Sequence, residues 1–306
     1  MIVSGGEALV DLVPAGPDGA MLAPRLGGGP YNVALTAARL GVPSAFLSRV
    51  STDGFGEALV RRLEESGVDT SLVQRGPEPT TLAVVTLDDD SSARYSFYTE
   101  GTADRLVADP GPLPAATTAL SVGTLGMVLD PGARSYEAVL RREHRRGVLT
   151  ALDPNIRAEM IADPDAYRAR FASWLPSVSV LKVSEEDAAW LAADGDVERA
   201  VRSWLDAGPA AVVLTRGARG VSLVTSSGVD VTVPTVPVDV VDTIGAGDTV
   251  QGAVLAWLTR HRVADVAALS AAECRAMLGF AAHAAAVTVS RSGAEPPTAD
   301  ELPQGV

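Results

Sequence analysis

The residues with the clearest chemical potential are Asp242-Thr243-Ile244-Gly245-Ala246-Gly247-Asp248. Val250, Ala253, Val254 and Trp257 follow at helical spacing, so the stretch predicts a glycine-rich turn that opens a helix with a buried stripe. The amides of Gly245 to Asp248 then lie at a helix N-terminus, where the first N–H groups have no intrahelical partner. Those amides and the helix dipole favour an anion. Small residues let a phosphate approach the backbone. Asp248 adds a carboxylate to a place already suited to negative charge, which a plain phosphate site does not need. An aspartate that accepts a proton while the amides hold a transferring phosphoryl group accounts for both features. For an isolated G-A-G-D, a simple helix cap is the plainer reading.

A second glycine-rich segment, Gly27-Gly28-Gly29-Pro30-Tyr31-Asn32-Val33-Ala34, ends at Ala38-Arg39-Leu40-Gly41. Its glycines let backbone approach a ligand. Asn32, in the first helical turn, offers an amide donor and a carbonyl acceptor, which suits a sugar diol. Taken alone, it also reads as a flexible turn with a surface asparagine.

D-T-x-G-A-G-D and G-G-x-x-x-N-x-A…L-G resemble the C-terminal and N-terminal signatures of the ribokinase-type sugar kinases, the PfkB family. Five further segments stand in family order between Gly6 and Ala294. Gly6-Glu7-Ala8-Leu9-Val10-Asp11 resembles the opening of fructokinases, and the resemblance makes Asp11 an acceptor for sugar hydroxyls. Asp153-Pro154-Asn155-Ile156-Arg157 is similar to segments of fructokinases and 2-keto-3-deoxygluconate kinases, where the Arg helps bind the sugar; an Asp153–Arg157 ion pair is the other reading. Lys182-Val183-Ser184-Glu185-Glu186-Asp187 stands where the family has N-x-x-E, implying nucleotide contacts at Lys182 and Ser184 and a role for Asp187 with Mg²⁺. An S-x-x-D helix cap explains the same residues. Thr215-Arg216-Gly217-Ala218-Arg219-Gly220 resembles the T-x-G-x-x-G nucleotide loop, placing Thr215, Gly217 and Gly220 at ATP phosphates. The segment from Ala281 to Ala294 is similar to one that packs near adenine and helps hold a monovalent cation, K⁺ being the candidate. His283 falls where the adenine edge is expected, although a lone histidine among alanines equally suits a structural role.

The resemblance implies an ATP- and Mg²⁺-dependent sugar kinase. Asp248 is the base, Gly245, Ala246 and Gly247 line the anion hole, and Gly28, Gly29, Asn32, Tyr98 and Arg157 join Asp11 at the sugar. Asp242 positions the loop or a cation. Fructose is the favoured substrate, since Thr99 stands where related kinases carry Arg after the tyrosine and a sugar acid would lose that partner. Ketodeoxygluconate follows, then ribose or a nucleoside. Readings from other classes are a non-catalytic sugar or nucleotide sensor and a glycosidase using Asp153 with Asp248. The first has no need of Asp248, and the second has no need of an anion-binding turn.

Composition narrows the field. The 306 residues are 47% hydrophobic with mean hydropathy +0.18, which predicts a globular chain with a large core. A formal charge of −13 disfavours nucleic acid and anionic membranes as partners. The N-terminus lacks a basic signal-peptide region, no apolar run is long enough for a bilayer, and Cys274 is the only cysteine, so a cytoplasmic protein is expected. Lys182 is the only lysine, and no G-x-x-x-x-G-K-[ST] exists. Protein-kinase H-R-D and D-F-G elements are absent too.

The elements that position these residues read as α/β. Strands are predicted at 2–5, 8–13, 20–26, 44–50, 80–87, 94–99, 118–122, 149–153, 178–182 and 211–215. Helices are predicted at about 31–40, 57–66, 135–146 and 197–207. The repeated β-then-α order predicts one ribokinase-like three-layer α/β/α domain over 1–306 with a predominantly parallel sheet. The hairpins at about 8–27 and 80–100, with turns at 14–19 and 88–92, do not fit that alternation and predict a small β-sheet lid. The lid's open face, and pairing through it in relatives, predict a homodimer.

Overall fold

Ile2-Val3-Ser4-Gly5 has both faces buried, as a strand inside a helix-covered parallel sheet must. The computed structural model describes residues 1–15, 21–87 and 93–303. From the N-terminus the elements are β1 (Ile2–Gly5), β2 (Leu9–Ala15), β3 (Met21–Gly27), α1 (Gly29–Arg39), β4 (Ser44–Ser51) and α2 (Gly54–Glu65). Next come β5 (Val68–Asp69), β6 (Val73–Gly76), β7 (Thr81–Leu87), β8 (Ala93–Tyr98), β9 (Ala119–Gly123), α3 (Gly132–Arg145) and β10 (Leu149–Asp153). Then follow α4 (Pro164–Trp174), β11 (Val180–Ser184), α5 (Glu185–Leu191), α6 (Val197–Ala207) and β12 (Ala211–Thr215). The chain closes with β13 (Val221–Thr225), β14 (Asp230–Val233), α7 (Ala246–Arg260) and α8 (Ala271–Val289).

The larger sheet has the order β14-β13-β12-β11-β10-β9-β1-β4-β5, with β6 also paired to β4. It is parallel from β12 to β5, and β13 and β14 add an antiparallel edge. Alternate side chains go to opposite layers. Ile2, Ala119, Ala151, Val180 and Val213 meet α1, α7 and α8. Val3, Leu120, Leu152, Leu181 and Val212 meet α3 to α6. The three-layer expectation therefore holds.

A second sheet has the order β3-β2-β7-β8. Two antiparallel hairpins are joined by parallel pairing of β2 with β7, in register Asp11 opposite Ala83. This is the predicted lid, one or two residues out at most strand ends. Pro14 and Ala15 extend β2 rather than turn; the remainder of that turn and the 88–92 turn lie outside the described residues. The lid's inner face rests on Leu125, Leu129 and Met160.

Several boundaries differ for local reasons. Helix α1 begins at Gly29 rather than Tyr31, because Pro30 is well suited to a first helical position. Helix α2 begins at Gly54 because Asp53 caps it, its carboxylate accepting the Gly56 N–H at 2.8 Å. Strand β11 runs to Ser184, two residues beyond the prediction, and ends where Ser184 becomes the cap of α5.

Strand order reverses in sequence at β1, which has β4 on one side and β9 on the other. Ligands in open α/β sheets bind outside the carboxyl ends of strands at such a point. The lid, which leaves from the end of β1 and returns to α1, covers that place.

Candidate active site

Helix α7 opens at Gly245, which holds a left-handed φ of +78°. A Cβ there would lie 2.5 Å from the Ala294 Cβ, so glycine is required on two grounds. Asp242 anchors the turn. Its Oδ1 accepts the Ile244 N–H at 3.0 Å and its Oδ2 accepts the Gly293 N–H at 2.8 Å, tying the α7 turn to the segment after α8. Among the described residues the N–H groups of Gly245, Gly247 and Asp248 have no partner. Ala246 differs from expectation: its N–H donates to the Thr243 carbonyl at 3.3 Å.

Asp248 is buried in the first turn of α7, and its Oδ2 accepts a 2.8 Å bond from Asn32 Nδ2 in α1. Asn32 Oδ1 is buried without a partner. The other Asp248 oxygen faces Gly29: a Cβ on Gly29 would stand 3.4 Å from Asp248 Oδ1, 3.4 Å from Asn155 Nδ2 and 2.6 Å from Thr124 Oγ1. Burial raises the Asp248 pKa, opposed by the Asn32 bond and by the charges of Lys182 and Arg157.

These groups line a polar cleft of about 280 Å³ with Glu7, Asp11, Tyr95, Phe97, Thr124, Asn155, Arg157 and Lys182. Burial pushes Asp11 up to about 6, with Arg157 opposing and Asp248 and Asp242 reinforcing. Glu7 is pushed up to about 8 by burial, although its two oxygens accept the Gly29 N–H at 3.0 Å and the Gly126 N–H at 3.1 Å. Thr124 and Asn155 hold positive φ angles of 52° and 38°, sparsely populated for non-glycine residues, and both face this cleft. Arg157 binds its own loop: Nη1 donates to Asn155 Oδ1 at 2.8 Å and to the Asn155 and Ile156 carbonyls. Asp153 pairs with Lys182 instead of Arg157.

On the other side of the turn lies an apolar cavity of about 450 Å³ between the β12–β13 loop, residues 235–240 and helix α8. Ala282, Ala285, Ala286, Val289, Val221 and Val250 supply apolar wall, and Thr215, Gly217 and Gly220 stand at one end. Thr243 and Gly247 line both spaces, so the turn is their common wall.

The structure thus brings Asp11, Gly28, Gly29, Asn32, Arg157, Lys182, Gly245, Gly247 and Asp248 to one cleft, and Thr215, Gly217, Gly220 and Ala246 to the adjoining cavity. Four expected site residues fall elsewhere, and Asp242 takes the first of its two expected roles, positioning the loop. Tyr98 is 61% exposed on the outer face of the lid, and the strand's alternation puts Tyr95 and Phe97 in the cleft instead. His283 does not line the apolar cavity; its Nδ1 lies 2.8 Å from the Gly279 carbonyl of its own helix. Ser184 is a helix cap, in a capping box with Asp187. Both Asp187 oxygens accept backbone N–H groups, from Ile156 at 2.9 Å and Ser184 at 3.4 Å. Asp187 therefore holds the Arg157 loop, and Asp242 holds the anion turn. No group of three or more His, Cys, Asp or Glu side chains suited to a metal occurs among the described residues. Cleft residues missed in the sequence include Glu7, Tyr95, Phe97 and Thr124. A Gly-Thr-Leu-Gly run at the end of β9 was the only available signal for Thr124.

Residues 1–301 match the profile of the pfkB family carbohydrate kinases. The chain is 39% identical over 278 residues to a fructokinase of Rhizobium leguminosarum bv. trifolii, covering 87% of this chain and 84% of that protein. It superposes on the fructokinase of Xylella fastidiosa with bound ATP at a TM-score of 0.88 and 26% identity, covering 99% and 94% of the two chains. A double mutant of the Vibrio cholerae O395 fructokinase, with fructose, ADP and potassium ion bound, superposes at 0.85 with 28% identity, covering 96% and 93%. A match along nearly the whole length, with the glycine turn, Asp248 and the lid in place, means that the chain belongs to the pfkB family of carbohydrate kinases.

Proposed function

We propose that this kinase transfers the γ-phosphoryl group of ATP to fructose. The observation that carries the reading is the position of Asp248. One of its oxygens is held by Asn32 and the other faces the polar cleft, while the neighbouring amides border the apolar cavity. A sugar in the cleft and a nucleotide in the cavity then meet at Gly245–Asp248.

The sugar hydroxyl lies against Asp248 Oδ1 and gives it a proton as its oxygen bonds to the γ-phosphorus. The bond from that phosphorus to the bridging oxygen breaks, and ADP leaves. Burial strengthens Asp248 as a base, and loose phosphoryl transfer lets the proton move late. The free amides of Gly245, Gly247 and Asp248 receive the charge of the transferring group. The lid keeps water from competing for ATP.

A neutral sugar suits the charge balance. Asp11 and Asp248 face Arg157, and Lys182 is already paired, so a sugar acid would meet more carboxylate than cation. With the Asp187 and Asp242 carboxylates occupied by backbone N–H groups, Mg²⁺ enters as part of the nucleotide substrate rather than on a protein cluster. K⁺ suits the junction of the Asp242 turn with residues 289–293, where it would stiffen the anion turn.

We place the enzyme in the cytoplasm, where ATP is supplied, and read the chain as one catalytic domain. The outer lid face carries Leu12, Pro24, Leu82, Val84 and Tyr98 in adjacent register, a surface suited to a second copy of the chain. Coupled-assay ADP formation with fructose, ribose, ketodeoxygluconate, glucose and adenosine tests the activity. Fructose should give the highest kcat/KM and Asp248→Ala should abolish turnover. A clear preference for ketodeoxygluconate would overturn the substrate assignment, and an active Asp248→Ala would overturn the mechanism.

A further inference from the structure

Both hairpins of the lid leave and rejoin the main domain, and each is closed at its base by one buried carboxylate. Glu7, 3% exposed, stands between β1 and β2. Its Oε1 accepts the Gly29 N–H just after β3, which closes the first hairpin. Asp104, 6% exposed, follows β8. Its Oδ1 accepts hydrogen bonds from the Thr81 hydroxyl at 2.6 Å, at the start of β7, and from the Thr102 hydroxyl at 3.0 Å, which closes the second. Glu7 Oε2 also accepts the Gly126 N–H, in the turn that carries Thr124 into the cleft.

The two carboxylates line one small cavity of about 10 Å³, with Arg105, Gly126 and Tyr136. That is about the space of one water. Asp104 Oδ2 is buried without a partner. Arg105 does not neutralise the pair, since its guanidinium donates to the Asp130 carbonyl and to Glu100. Tyr136, on α3, gives its O–H to the Gly6 and Leu47 carbonyls. On the cleft side Glu7 shares walls with Asp11, Tyr95 and Asp248, and the cations there are engaged, Lys182 with Asp153 and Arg157 with its own loop. Two charged carboxylates would repel each other in this buried place. Hydrogen bonding decides which of them holds a proton. Asp104 Oδ1 accepts three bonds, counting the Arg105 N–H at 2.9 Å, and these favour its anion against burial. Burial, reinforced by the Asp104 charge, pushes Glu7 up to about 8.

We propose that Glu7 and Asp104 are positioning residues for the sugar site: protonated Glu7 donates through one water in the cavity to Asp104 Oδ2, and this clasp fixes the bases of both lid hairpins. Loss of the Glu7 proton to solvent sets two negative charges against each other at the hinge. Strand β2, with Asp11, and Gly29 then lose their places around the sugar. The inference rests on the sugar-kinase reading above and adds a control on its lid.

Glu7→Gln and Asp104→Asn test the clasp as a pair. Each leaves one carboxylate facing one amide donor, the pairing that wild type reaches only with Glu7 protonated. In wild type, kcat/KM for fructose should fall by about tenfold for each unit of pH above about 8, with KM for ATP constant. Both variants should lack that fall. A merely structural bond would leave the shape of the pH profile unchanged. In wild type labelled with ¹³C-glutamate, one side-chain carboxyl resonance should titrate near pH 8, and it should be missing from Glu7→Gln. A fall that persists in either folded variant, a flat wild-type profile, or no glutamate titrating near pH 8 would overturn the clasp. Wild type that forms no ADP with any sugar would overturn the kinase reading instead, and the glutamate titration would still decide whether Glu7 holds the proton.

Discussion

The polar cleft and the apolar cavity share the wall at Gly247, yet they are built by opposite rules. The cleft is assembled from single residues of many elements: Glu7 after β1, Asn32 in α1, Thr124 after β9, Asn155 and Arg157 after β10, Lys182 in β11 and Asp248 in α7. Its groups are polar or charged, largely buried, and most make specific hydrogen bonds. The cavity is walled by contiguous small residues of α8 and one extended segment, with threonine hydroxyls as the main polar side chains. The first arrangement can discriminate among hydroxyl patterns, because an unmatched buried polar group is costly. The second can shelter an aromatic base without reading its edges through side chains. Selectivity should therefore reside in the cleft and tolerance in the cavity.

The largest test of that contrast is Asp248→Asn, which keeps shape and an acceptor for Asn32 but removes the base. Turnover should fall by about 10²- to 10⁴-fold with ATP affinity unchanged, read from steady-state kinetics with each substrate varied. Loss of ATP affinity instead would mean that the two spaces are not separable. Next is Gly29→Ala. Its methyl would stand 2.6 Å from Thr124 Oγ1, so kcat/KM for the sugar should drop by about tenfold to a hundredfold while KM for ATP holds.

Acidity sharpens the comparison through the cleft alone. Asp248, raised by burial, must be ionised to take the sugar's proton, and Asp11, pushed up to about 6, binds sugar hydroxyls most strongly as the carboxylate, so kcat/KM for the sugar should fall as pH drops below about 6. Folding has the opposite sign. A carboxyl whose folded pKa is raised favours the folded state below its unfolded value of 3.8 and loses that advantage as pH rises through about 6. Asp11→Asn should thus raise the unfolding temperature relative to wild type at pH 8 and not at pH 4, measured by scanning calorimetry.

The cavity predicts a smaller effect. Replacing ATP by GTP should change kcat/KM by less than about tenfold, since apolar walls discriminate weakly. A preference for ATP beyond a thousandfold would show that backbone groups around 235–240 read the base. Smallest of all, Tyr98→Ala should leave both kinetic constants unaltered, because the ring is on the outer lid face. The same variant should reduce the dimer fraction in sedimentation.

Most of the α/β layout was legible because each strand is a short apolar run closed by a local turn signal. Lid strands were legible for the reason that they broke the alternation. Within the site, legibility followed locality. Gly245 needs its left-handed turn whatever surrounds it, and Ser184-Glu185-Glu186-Asp187 caps a helix by its own chemistry. Tyr98 was misplaced because aromatic content does not reveal which face of β8 points inward. His283 was misplaced because one step of 100° around α8 separates it from the cavity-lining Ala282.

By itself, the sequence determined the order of elements and the helix mouth with its carboxylate, since both arise from contacts within a few residues. The tertiary structure decided that Asp248 meets Asn32 across 216 positions, that Asp153 takes Lys182 rather than Arg157, and that Asp187 and Asp242 hold loops. Those outcomes depend on sheet register and on how helices seat against it, and a buried charge pairs with whichever partner that packing leaves within reach.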